Sequence, residues 1–152
     1  MKKISKFTNG LIFYYGILQT LHLLTLARAG IILWLFNRAP FPILPPPGGW
    51  PSHTMPFLFG LAGTDVMGIL LGISFAYHFL IKKSFKPVLG LISLSIFITG
   101  ALVFGAGTFP TGAWSAHPVS YWLMVVLFVP VLPLFMKLLK SVRAHTNHPK
   151  ND

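Results

Sequence analysis

Four long apolar runs, at about 11–36, 56–81, 88–107 and 119–136, decide what this chain can become. Each holds about 18 to 26 residues, and a helix of that length crosses roughly 30 Å of hydrocarbon at about 1.5 Å per residue. In lipid every backbone N–H and C=O must be bonded within its own segment, so such a run is a helix. Asp65 is the one strongly polar side chain that interrupts the second run, and the third has none. The expected fold class is all-α, an integral membrane four-helix bundle with up-down topology. Residues 1–152 read as a single membrane domain, with outer loops at about 37–55 and 108–118.

The charges set the expected orientation. Lys2, Lys3 and Lys6 precede the first run, Lys82, Lys83 and Lys86 separate the second from the third, and Lys137, Lys140, Arg143 and Lys150 follow the fourth. If the spans alternate, these ten fall on one side, Arg38 falls on the other, and Arg28 is inside the membrane. The positive-inside rule then places both termini and the middle loop in the cytoplasm of a protein of the plasma or inner membrane. A net charge of +10 on a soluble protein would suggest nucleic acid; here, with 54% hydrophobic and 9% charged residues, topology accounts for it and no nucleic acid is expected. The bilayer is the first partner, with attraction to anionic headgroups at the basic end. Having no cysteine, the chain has no disulfide, thiolate metal site or dithiol chemistry.

The remaining punctuation agrees. Trp34, Trp50, Trp114, Tyr121 and Trp122 fall near the expected outer face, and Tyr14, Tyr15 and Tyr77 near the inner one, where amphipathic rings favour the headgroup region. The basic start followed by apolar residues resembles a signal peptide, with Ala27-Arg28-Ala29 as a cleavage site. The apolar run continues through Phe36, however, so an uncleaved first span is expected. In the first outer loop Pro45-Pro46-Pro47 favours polyproline II and Gly48-Gly49 lets the chain turn, giving a stiff cap over the first two helices.

Two features concern packing. Gly60, Thr64, Gly68, Gly72 and Ala76 recur every four residues on the second span and include a GxxxG, the spacing that lets a second helix backbone approach closely. In the fourth span Pro130 and Pro133 remove the hydrogen bonds to the Val126 and Val129 carbonyls, which predicts a kink and two carbonyls in need of partners.

The candidate site comes from polar residues at membrane depth. Gln19, His22, Thr25 and Arg28 occur at every third position of the first span. Asp65 is one of two acids in the chain, the other being Asp152. Arg28 and Asp65 both sit roughly 12–14 Å below the outer ends of their helices at about 1.5 Å per residue, and each alone in lipid is costly, so a pair is expected. It serves either as a clamp or as the wall of a ligand site. His22 is expected to bond Gln19 or Thr25. His22 and His78 are offset by about 9 Å along the normal, which disfavours a haem between them. His53 and His117 lack the further ligands a zinc shell needs, so no metal is assigned; the cofactor is left open.

Paired carboxylates, a nucleophile elbow, HExxH, a P-loop and a dinucleotide fingerprint are all missing. The leading expectation is a non-enzymatic protein that binds a lipophilic ligand, or forms a homo-oligomer or a subunit with other membrane chains, using Arg28, Asp65, His22, Gln19 and Thr25. The alternatives are a small membrane enzyme with Asp65 or His22 as the acid–base group, and a proton-coupled oligomeric carrier.

Overall fold

The computed structural model describes residues 5–37 and 44–146. Lys2, Lys3, Arg38, Lys150 and Asp152, all named above for their charge, lie outside the described residues. Among the described residues there is no strand. The helices are α1 (Lys6–Phe36), α2 (Thr54–Leu80), α3 (Pro87–Thr108), α4 (Ala113–Ala116), α5 (Pro118–Phe128) and α6 (Val131–Thr146), with a 3-10 turn at Phe109–Thr111. Four helical stretches are long and apolar enough to cross a membrane: Lys6–Phe36, Thr54–Leu80, Pro87–Thr111 and Pro118–Ala144, the last being α5 and α6 in succession.

Local chemistry sets the ends. Ser5 caps α1, its hydroxyl accepting from the Thr8 N–H at 3.2 Å. At the other end Asn37 takes a left-handed φ of 49° and its N–H bonds the Leu33 carbonyl. Pro87 and Pro118 open α3 and α5, where a missing N–H is harmless. The polar last turns carry α6 well past the expected end at Met136; there Lys137 lies over the Phe7 ring at 5.2 Å and ties the two chain ends together.

Neighbouring helices run in opposite senses. Along α1 and α2, Gly16 meets Ala76, Tyr15 and Gln19 meet Gly72, and His22 meets Asp65. Along α2 and α3, Phe75 meets Gly90, Gly72 meets Ser93, Gly68 meets Ile96, Asp65 meets Gly100 and Phe57 meets Gly107. α6 packs against α3 and α1 and closes the group. The core therefore sits at the basic end, where Leu11, Ile12, Tyr15, Phe75, Ala76, Leu94, Val131, Leu134 and Leu138 are buried together. Toward the other end packing thins: past Gln19, α1 has no buried residue, and Tyr121 is the single buried residue of α5.

The proline pair breaks the fourth span between Phe128 and Val131. Both freed carbonyls find tighter partners: the Val126 oxygen accepts from Val129 at 3.3 Å and the Val129 oxygen from Leu132 at 3.2 Å. The Tyr14 hydroxyl donates to the Leu127 carbonyl, bracing α1 against the break. The second outer loop is not extended, being coiled into the 3-10 turn and α4. The proline loop turns at Gly48 and Gly49, both near φ 90°, but is anchored to α5, since His117 Nε2 lies 3.0 Å from the Pro45 oxygen and the Tyr121 hydroxyl donates to Leu44 at 3.0 Å.

Candidate functional site

The small-residue row of α2 turns as it climbs. A step of four residues advances about 40° at 3.6 residues per turn, so the row sweeps across the helix instead of running straight up it. Only its lower half meets other helices. A Cβ at Gly68 would stand 2.9 Å from Ile96, one at Gly72 would stand 2.8 Å from Ser93 Oγ and 2.9 Å from Gln19 Cγ, and Ala76 faces Gly16. Gly60 and Thr64 are exposed; a Cβ at Gly60 would touch nothing within 4 Å, and the Thr64 hydroxyl bonds the Gly60 carbonyl of its own helix at 3.1 Å.

The polar row of α1 turns as well. Steps of three fall short of a full turn by about 60° each, so Gln19 and Arg28 lie on opposite sides of the helix. Gln19 is the one that faces inward, at 0% exposure, and Arg28 is exposed. The expected Arg28–Asp65 pair is therefore replaced: among the described residues the partner of Asp65 is His22, with Nε2 4.0 Å from Oδ2. Arg28 lies on the exposed side of α1, and Asp65 is met instead by His22, six residues earlier on that helix. Thr25 is engaged with the Leu21 carbonyl of its own helix at 2.8 Å, so it does not serve His22 either.

What the structure brings together is a polar column between α1, α2 and α3. At its base the Ser93 hydroxyl donates to the Gly68 carbonyl at 2.6 Å. That bond uses the serine proton, so the Tyr15 hydroxyl is the donor in the 2.7 Å bond between the two side chains. Tyr15, expected at the headgroup level, is fully buried. One turn up is Gln19, near the Tyr15 hydroxyl, although neither amide atom meets hydrogen-bond geometry. Next come His22 and Asp65, whose side chains are 27% and 18% exposed. The Asp65 carboxyl lies in a notch at Gly100, where a Cβ would stand 2.8 Å from Oδ1. The edge of Phe97 braces the His22 ring at a centroid separation of 6.0 Å, and Phe97 in turn stacks on Phe128 of α5.

Tyr15, Ser93, Phe97 and Gly100 were missed by sequence reasoning. One signal was available: Ser93, Gly100 and Gly107 recur every seven residues on α3, which keeps them on nearly one face. A separate groove between α1 and α2, lined by Phe13, Gly16, Ile17, Ala76 and Tyr77, is apolar and is not lined by Gln19, His22 or Asp65. Among the described residues no three of His, Asp and Glu gather into a metal cluster. Compared with family models, curated proteins and solved structures, the chain matches none.

Proposed function

We propose that this is a four-span, up-down membrane bundle with both termini and the middle loop in the cytoplasm, and that it binds a lipophilic small molecule at an intramembrane site centred on Asp65, His22 and Gln19, without catalysing a reaction on it. The distribution of basic residues supports the orientation. The observation that carries the binding reading is the setting of Asp65. It is the only acid among the described residues, it has no Lys or Arg partner there, and it is held in the Gly100 notch while remaining partly reachable. A carboxyl kept at membrane depth is costly, and a structural clamp would have paired it with Arg28. The thinly packed outer half of α1 offers a route from the lipid.

Native mass spectrometry of the protein released gently from its own membrane tests this. The expected result is a small molecule retained by the wild type and lost from Asp65→Asn. Spectra of wild type and variant that carry only protein chains would end the ligand reading and leave a subunit or homo-oligomer. One alternative has an observation of its own: the approach of His22 to Asp65 suits an acid–base pair acting on a lipophilic substrate. On that reading Asp65→Asn folds and still retains the molecule but does not turn it over.

A further inference from the structure

Gln19 is the member of the proposed site to which the binding reading gives no contact of its own. Its side chain is 0% exposed, and neither Oε1 nor Nε2 has a hydrogen-bond partner among the described residues. An amide taken out of water with both atoms unpaired is strongly destabilising, and buried polar groups in folded proteins are almost always satisfied. The neighbours explain why the chain does not satisfy this one. Below it the Tyr15 and Ser93 protons are already engaged, with Ser93 and Gly68, so neither is free for Oε1, and the Tyr15 oxygen, the acceptor beside Nε2, lies near the amide but outside hydrogen-bond geometry. Above it His22 Nε2 is turned toward Asp65. Across from it stands Gly72, which has no side chain to offer and on which a Cβ would collide with Gln19 Cγ, Ser93 Oγ and Tyr15 Cε1 at 2.9, 2.8 and 3.1 Å.

We propose that Gln19 anchors a binding site for a hydroxyl group, an O–H that donates to Oε1 and accepts from Nε2. A cation would suit Oε1 and be opposed by the N–H groups, and an anion would do the reverse, whereas a hydroxyl serves both. The titratable groups beside this point are Tyr15 and His22 on α1 and Asp65 on α2; α3 contributes Ser93 and Phe97 and carries no charged residue or histidine along its length. Ile12, Phe75, Leu94 and Leu134 are all 0% exposed, whereas the His22 and Asp65 side chains are 27% and 18% exposed, so the His22–Asp65 side is the more open one. The hydroxyl has two sources. A water molecule would join the Tyr15–Ser93 pair to the His22–Asp65 pair as one hydrogen-bonded column. The alcohol head of an amphiphile would be the polar end of the ligand proposed above, and only this second source rests on that reading.

Gln19 is the only glutamine in the chain, so glutamine labelled with nitrogen-15 in its side chain reports from one amide. The experiment uses the full-length wild type in phosphatidylcholine nanodiscs, so no variant has to fold. Magnetisation transfer from water protons to the Gln19 amide assigns the site to water. A shift of that signal on addition of dodecanol, with no water transfer beforehand, assigns it to an alcohol head. A Gln19 signal that responds to neither overturns the proposal. That failure would leave the Asp65-dependent retention of a small molecule standing, and loss of that retention would leave the contact at Gln19 readable, so the two readings fail separately.

Discussion

The two halves of the molecule are held together by different means. At the basic end, α1, α2, α3 and α6 interlock: small residues let backbones approach, and nine buried side chains form one cluster. In lipid there is no hydrophobic force between helices, so this half depends on close packing and a few buried hydrogen bonds. At the other end α1 and α5 bury little, and what order there is comes from side chains reaching backbone carbonyls and from stacked rings: His117 to Pro45, Tyr121 to Leu44, and Trp114 against Tyr121 at 4.9 Å. The polar column lies on the border. Its lower groups are locked by the packed half, and its upper groups face the loose one. The binding site proposed above would profit from that arrangement, because a rigid floor orients a ligand and a thinly packed side admits it.

Because of this contrast, substitutions of the same kind should differ by region. The largest effect is expected at Gly72, where an added methyl meets three side chains. Gly72→Ala should destabilise by about 1–3 kcal/mol, read as a lowered melting temperature in detergent, while Gly60→Ala on the same helix should leave melting unchanged. Equal losses at both would refute the packing contrast. Next is Tyr121→Phe, which removes the hydroxyl that holds Leu44. A cost of about 1 kcal/mol is expected, with faster proteolysis of the proline loop and no change in the melting of the packed half. Tyr15→Phe comes third. Ser93 keeps its bond to Gly68, so the loss should be only about 0.6 kcal/mol, the usual worth of such a bond between membrane helices; a much larger drop would mean that the column is a single cooperative network. The smallest effect is expected from Arg28→Gln. An exposed side chain without an ion-pair partner among the described residues should change stability by less than about 0.5 kcal/mol and leave ligand retention as it was. A collapse there would restore the Arg28–Asp65 clamp.

Much of the fold was legible in the sequence. Length and apolarity mark the four long helices, and Pro130 with Pro133 predicts the break in the fourth; that Pro87 and Pro118 open two of them came from the structure. The site was legible only in part. Asp65, His22 and Gln19 stood out because polar groups at membrane depth are rare. Tyr15 and Ser93 did not, because a tyrosine near a span end reads as an interfacial ring and a serine in an apolar helix as filler. Both matter because of what they touch, and Tyr15 and Ser93 are 78 residues apart in the chain.

Taken alone, the sequence determined position along each helix. Counting residues along a span set Arg28 level with Asp65 and His22 about two turns away, although it is His22 that meets Asp65, and the helical repeat already requires Gln19 and Arg28 to face opposite ways. Which of the two faces inward was decided by the tertiary structure. The rotation of α1 about its own axis is set by contacts between helices, Gly16 against Ala76 and the three side chains gathered at Gly72. A periodic pattern constrains position along a helix more tightly than rotation about it, because in a membrane every face is apolar enough to meet lipid. Rotation is chosen by which small residues allow the closest approach, and that choice turned Gln19 and His22 toward the bundle and Arg28 away from it.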